Sequence, residues 1–303
     1  MTAGYGLGVL FETSKWVSSA PCPPYLEIPL RLTAIALLLR PMGPWFVRPV
    51  ILAAAAIVLI SPRALRTPAV WAGVAALVSV RIADDWPLAD NHIYLLAYWT
   101  LAIALALRAT DVSHALSSAS RWLLGLAFAF AVLWKVFLSP DYLDGRFFRV
   151  TLLTDPRFAE AAMLIGGLSA DELEANRRAL DPLPDGAALA TPSVVIEPPR
   201  LRALAIVSTW GILLLEVLVA ITMLSSPARI PVGLRHILLL SFCVITYAFA
   251  PVAGFGWLVL VMGAAGTAEA DVWVRRVYAG AFLVVLFYSE VPWAGLLLDR
   301  LRG

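Results

Sequence analysis

The chain has 303 residues, 61% of them hydrophobic and 15% charged, with mean hydropathy +0.83 and net charge +2. Soluble domains carry roughly 45–50% apolar and about 25% charged residues, so an ordinary soluble domain is excluded. A disordered chain, a disulfide scaffold and a free nucleic-acid binder are excluded with it, because the apolar excess is gathered into runs of about twenty residues.

In chain order, residues 4–20 read as an amphipathic stretch lying along a membrane interface. The same segment lacks a basic region followed by a small-residue cleavage site, so no cleaved signal peptide is expected. Crossing about 30 Å of hydrocarbon takes roughly 20 helical residues. On that measure spans are expected near 25–40, 45–61, 67–83, 92–108, 121–138, 202–224, 233–250, 253–267 and 274–292. Proline, glycine or charge separates them, as at Pro41-Met42-Gly43-Pro44, Ser61-Pro62-Arg63 and Ala250-Pro251. The seventh and eighth also read as one broken or re-entrant element. The expected fold class is therefore all-α: a polytopic bundle of about nine spans, forming one integral membrane domain over residues 1–303.

One hydrophilic excursion, 139–200, interrupts the bundle. Asp155-Pro156 places a cap before a first-turn proline, and Gly166-Gly167 stops that helix. Ser169 with Glu172 is a capping box opening a helix over 170–180, and 187–199 is a connector. Two short helices and a linker are expected, with no internal repeat.

Basic residues in short loops set orientation. With the N-terminus inside, Lys15, Arg63, Arg66, Arg108, Arg121, Arg229, Arg235, Arg275 and Arg276 fall on the inner side. Arg40, Arg48, Arg81, Arg300 and Arg302 fall outside. This arrangement predicts a multi-pass inner-membrane protein with a cytoplasmic N-terminus and an extracytoplasmic excursion and C-terminus. Lys15 and Lys135 are the only lysines among the basic residues, a bias that points to a GC-rich bacterial genome. Cys22 and Cys243 are too few for a framework, and Cys243 reads as a small core residue.

Several motifs fail. Gly4-Tyr5-Gly6-Leu7-Gly8 follows no strand, no phosphate-binding Gly-Lys-Ser/Thr loop occurs, and His92, His114 and His236 cannot form a helical zinc pair. Asp144-Gly145 with Arg149 resembles the opening of the CDP-alcohol phosphotransferase motif but lacks its later Gly and two Asp. Gly263 to Gly266 reads as a close helix approach, and His114 as a loop residue. The net charge gives no reason to expect nucleic acid.

The informative residues are ionisable groups in or beside apolar runs, where a charge costs on the order of 2.5–3.5 kcal/mol. Lys135, after Trp134, lies about one turn from the outer end of the fifth span. It reads either as a snorkelling interfacial lysine or as a desolvated amine acting as a base. His92 opens the fourth span at the same outer level, where it can hydrogen-bond a polar ligand group. Asp90 and Asn91 precede it as caps or ligand contacts. Glu290, near the outer end of the ninth span, is a surface carboxylate or an ion partner for Lys135. Glu216, deep in the sixth span, is expected to pair with an arginine or hydroxyl, and His236 to be interfacial. Lys135, His92, Asp90 and Glu290 thus converge at one outer level beneath the excursion, suiting a polar-headed lipophile such as a quinone.

At these residues the sequence resembles a known group. Asp90-Asn91-His92-Ile93-Tyr94-Leu95 is similar to the Asn-His-x-Tyr-Leu signature of the vitamin K-dependent gamma-carboxylase membrane domain and its bacterial relatives, the horizontally transferred transmembrane (HTTM) proteins. Lys135 through Asp141, Tyr142 and Gly145 resembles that family's Lys-Leu-x-Asp-Trp-x-x-Gly stretch. Glu216 and the Arg235-His236 helix start fit more loosely. The resemblance covers about residues 70–290. It implies that Lys135 deprotonates a reduced quinone and that His92 stands beside it; these two are the expected catalytic residues, with Asp90, Asn91, Tyr94, Trp134, Asp141 and Glu290 expected as ligand contacts. This chain departs from the family pattern. Trp134 stands where a second lysine would precede Lys135, the spacing to Asp141 is longer, and no counterpart of the carboxylase's lumenal domain follows the last span.

The leading expectation is an HTTM-like membrane protein holding a quinone-like ligand at an outer-leaflet site for base-initiated redox or carboxylation-type chemistry. The alternative is a non-enzymatic membrane partner that assists maturation, export or immunity of another protein through its excursion. Transport ranks last, because only Glu216 lies deep.

Overall fold

A computed structural model describes residues 23–39, 43–87, 89–181, 194–226, 228–249 and 254–289. The stretch at 4–20, Lys15, Cys22, the Arg40–Met42 break, residues 187–193 of the connector, the Ala250-Pro251 break, Glu290 and the C-terminal arginines lie outside the described residues. Among the described residues every regular element is helical and no strand occurs. The chain divides into two compact units, Met1–Ser120 with Ala264–Asp271, and Arg121–Gly263 with Val272–Gly303.

The first unit contains α1 (Glu27–Leu39), α2 (Arg48–Ile60), α3 (Pro62–Leu65), α4 (Pro68–Asp84), α5 (Asn91–Ala106) and the start of α6 (Val112–Leu133). Pro62 and Pro68 sit in first turns, where the missing N–H has no helical partner to lose. Ser61 adds a side-chain cap, accepting from the Ala64 amide at 3.3 Å. The helices pair α1 with α2 and α4 with α5. Fully buried Trp71 and Trp99 fill the unit, and each satisfies its indole N–H: Trp71 donates to the Leu65 carbonyl at 2.8 Å, Trp99 to the Thr33 hydroxyl at 3.1 Å. Such large side chains can be buried only if that donor is met.

Helix α6 begins at Val112, well before the expected start at 121, and therefore takes in His114, which was expected in a loop. The reason is local. Asp111 accepts from the His114 amide at 2.9 Å, capping a polar first turn that hydropathy alone reads as a connection.

The second unit takes up the rest of α6, a π-helical turn Trp134–Leu138, α7 (Pro140–Leu143), α8 (Arg146–Thr154), a 3-10 turn Pro156–Phe158, α9 (Ala159–Leu164) and α10 (Ala170–Leu180). It continues through α11 (Pro199–Leu224), α12 (Val232–Phe249), most of α13 (Gly256–Ala265) and α14 (Val272–Ser289). The described part of the insert at 139–200 thus holds four α-helices where two were expected. Both predicted starts are present: Asp155 accepts from the Arg157 amide, and the reciprocal Ser169–Glu172 capping box forms. The additional helices start at Pro140, in a first turn, and after Gly145, whose φ of +78° favours glycine. A Cβ at Gly145 would also meet Ile206 Cδ1 at 2.6 Å, so any other residue would make the Ile206 side chain shift.

The insert is not a free loop. Phe148, Leu152, Phe158, Leu168 and Leu173 pack with Leu201 and Ala205 of α11 into one apolar core. Asn176, fully buried, donates to the Ile196 carbonyl at 2.8 Å and accepts from its amide at 2.7 Å, fastening the returning chain to α10. Next to it Glu197 is held by the Arg149 guanidinium on both oxygens and by Arg202 Nε at 2.9 Å.

Val112–Leu138 and Pro199–Leu224 are long and apolar enough, by length and composition, to cross a membrane. The remaining expected spans coincide with α1, α2, α4, α5, α12, α13 and α14, which run from 10 to 18 residues.

Candidate functional site: an apolar cavity with a buried ion pair

The second unit carries a half-open cavity of about 530 Å³, at whose mouth Phe147, Val207 and Ile245 remain exposed. Its wall comes from five places in the sequence: Lys135 in the π turn, Tyr142 of α7 with Phe147, Phe148 and Leu152 of α8, Phe158, the Leu204–Glu216 face of α11, and Phe242, Thr246 and Phe255. The rings interlock edge to face. Phe242 lies 6.2 Å from Phe255, and Phe148 lies 6.0 Å from Tyr142 and 6.3 Å from Phe158, centroid to centroid. Gly211 lines the same wall, and a Cβ added there would touch nothing within 4 Å.

Two helices deliver the charge. Arg121 donates to the carbonyls of Met223 and Ser225, both at 3.0 Å, and Arg235 donates to Thr222 and Ser225 at 2.9 and 3.1 Å. Two guanidinium groups therefore close the C-terminus of α11, where the last carbonyls lack helical partners and the dipole is negative. This sets α6 and α11 antiparallel with Arg121 level with Met223. Glu216 lies seven residues before Met223, about 10 Å along the axis. Lys135, two turns of chain beyond Phe128, leans to the same depth and donates to Glu216 Oε1. The Lys135 side chain is 21% exposed and that of Glu216 7%. The ammonium also lies 5.3 Å from the Tyr142 ring centroid, over the electron-rich face. Burial, with the Glu216 charge nearby as a lesser cause, pushes the Tyr142 phenol well above its usual range, so Tyr142 stays neutral.

Two polar atoms on this wall have no partner among the described residues. Glu216 Oε2 and Thr246 Oγ1 are both buried without a hydrogen bond. The contrast with other helical threonines is direct. Thr33, Thr100, Thr209 and Thr222 each donate back to a carbonyl one turn earlier. Buried polar atoms in native proteins are nearly always satisfied, so an exception calls for an explanation such as a missing bound species.

The expected site residues divide between the units. In the first unit, Asp90 stands at the N-cap of α5 without a side-chain capping bond, its Oδ2 4.0 Å from His92 Nε2. Asn91 is exposed and Tyr94 half-buried on the following turn. In the second unit Lys135 is joined by Glu216 and Tyr142. Trp134 beside it is 61% exposed and Asp141 is exposed, and neither lines the cavity. Glu290 lies outside the described residues.

Three expectations change. Lys135 does not snorkel outward, because a carboxylate one helix away engages its ammonium. The partner of Glu216 is this lysine, not an arginine or a hydroxyl. His236, expected at an interface, is buried with Nδ1 3.0 Å from the Tyr278 hydroxyl, since α14 packs against α12 there. Thr246 was not foreseen at all; a threonine in an apolar helix gives no signal until its hydroxyl is seen to lack the usual carbonyl. Cys243 is buried as expected. Gly263 serves close packing, since a Cβ there would meet the Tyr278 ring at 2.7 Å. Among the described residues no three His, Cys, Asp or Glu side chains gather as metal ligands.

No family model, curated protein or solved structure matches this chain.

Proposed function

We propose that the chain is a bacterial inner-membrane protein of about nine helices that binds a quinone-like lipophilic ligand in the second unit's cavity. The observation that carries this reading is the cavity itself: mostly apolar and aromatic walls of ligand-sized volume, with the Lys135–Glu216 pair, Arg157 held by Asp155, and two unsatisfied polar atoms. A flat apolar body fits the phenylalanine-lined part, and a polar head fits the Lys135–Glu216 end. The described helices long enough to cross a bilayer are the two that carry this pair. The likeness of Asp90–Leu95 and Lys135–Gly145 to the HTTM and gamma-carboxylase membrane domain leads in the same direction, and by that likeness His92 of the first unit is a second residue required for function. A reduced quinone, when bound, would supply electrons to an acceptor. The protein's share is to bind the ligand, exclude water from it and hold charge beside its head.

The test is lipid extraction and mass spectrometry of the purified protein. A quinone-type lipid should co-purify with the wild type and be depleted at least tenfold from Gly211→Leu, which adds a bulky side chain at an exposed lining position where a Cβ meets no neighbour. Equal recovery from both proteins would overturn the reading. His92→Ala should reach the membrane normally and lose the cellular function.

A second reading, a non-enzymatic partner for another protein, is favoured by Leu164 and Ile165, 83% and 50% exposed at the end of α9. Replacing both by serine separates it from the first, since neither residue lines the cavity.

A further inference from the structure

We infer that the head of the cavity's ligand is recognised by Glu216 Oε2 and the Thr246 hydroxyl, that it is a neutral hydroxyl donor, and that Lys135 acts as the positioning counter-ion. The inference rests on the reading of this cavity as a ligand site. The family resemblance gives the decisive role to Lys135; the hydrogen-bond inventory gives it to its partner.

The ammonium of Lys135 is already committed, to Glu216 Oε1 and to the face of Tyr142. Oε1 is likewise occupied. What the pair leaves open is one carboxylate oxygen, which can only accept, and one threonine hydroxyl, which can do either. An anionic head, such as a fatty acid carboxylate, would bring like charge against Glu216 Oε2, and both cations on the cavity wall are already engaged, Lys135 by Oε1 and Arg157 by Asp155. A head with no donor, an ether or the carbonyl of an oxidised quinone, would leave Oε2 unsatisfied, so a quinone-like ligand is held in its reduced, hydroxyl-bearing form. A phenolic or alcoholic O–H donates to Oε2 and can accept from Thr246. It also adds no net charge to a pair that is already neutral, so no new ion need be desolvated. Sites built to hydrogen-bond a hydroxyl discriminate strongly against analogues lacking it, because the protein's own buried group is then left bare.

The test uses three probes with one apolar body: 2-naphthol, 2-methoxynaphthalene and 2-naphthoate. Their binding is measured by calorimetry to the full-length protein in lipid nanodiscs, with Gly211→Leu as the background for partition into lipid. The expected result is that 2-naphthol binds at least about tenfold more tightly than either other probe, the range of a hydrogen bond to a charged group. Lys135→Met/Glu216→Gln, which removes both charges together, should reduce that ratio to within about twofold. Thr246→Val should reduce it about threefold while the protein remains folded. The ratio between probes of one body is the readout, because a merely structural role for Lys135 would weaken all three alike.

If naphthol and its methyl ether bind equally well above the Gly211→Leu background, the cavity reading stands and this inference is wrong. The inference is equally overturned if 2-naphthoate binds best, or if the ratio survives in the doubly neutral variant. If no probe binds above that background, the reading of the cavity fails and the inference falls with it.

Discussion

Lys135 and Glu216 are 81 positions apart and meet as a buried pair, which makes each the condition for the other's burial. Taking a charge out of water costs several kcal/mol, and mutual attraction offsets this only while both are present. Lys135→Met alone should therefore destabilise the protein by about 3–5 kcal/mol, whereas Lys135→Met/Glu216→Leu should lie close to the wild type or above it. Thermal melts of the four proteins of this cycle, in one detergent, check the prediction. A single lysine variant as stable as the double would mean that Glu216 is solvated without its partner. Thr246 makes the complementary point. Its buried hydroxyl forgoes the backbone bond that its fellow threonines make.

At the scale of elements, the insert is held by polar clamps as much as by its apolar core. Glu197 is kept well below the usual carboxylate range, chiefly by its hydrogen bonds to Arg149, with Arg202 adding to the effect. A carboxylate depressed in the folded state contributes stability that is fully present above its unfolded value and is lost as pH falls through the folded one. Protection factors in α8, α10 and residues 194–198, corrected for the intrinsic pH dependence of amide exchange, should therefore be constant near neutrality and fall as the pH drops below about 4.5. Glu197→Gln should raise exchange at neutral pH and flatten this acid response.

Much of this architecture was legible from local rules. The Ser169–Glu172 box, the Asp155 cap and the apolar runs depend on neighbours within one turn, and all appear where expected. What local rules could not give was α7 and α8, since Phe147, Phe148 and Leu152 look like short apolar interruptions until α11 offers Leu201 and Ala205 as a surface for them. The site was half legible for the same reason. A charged residue in an apolar run announces itself, so Lys135 and Glu216 both stood out. Their pairing depends on the tertiary approach of two helices, and on a π turn that no spacing rule reveals.

For the whole molecule, the expected arrangement places the insert outside and the loop between α11 and α12 inside. In a cysteine-free background, Glu174→Cys, on an exposed position of α10, should react in intact cells with a membrane-impermeant maleimide. Arg229→Cys should react only after permeabilisation. The reverse pattern would overturn the assigned orientation, and reaction of both in intact cells would overturn the single crossing by α11 between these loops.

One consequence of α11 reaches furthest. Its first turns complete the core of the insert and its later turns carry Glu216, while the cavity wall draws on both. On the proposed reading a ligand in the cavity and a protein on the insert would share this wall, and any coupling between them would be reciprocal. A guest that tightens Phe148 and Phe158 against α11 changes the affinity of the insert's outer surface by the same factor by which a docked protein changes the guest's. Sensing and chemistry, rival roles when each is taken alone, then become two ends of a single coupled equilibrium.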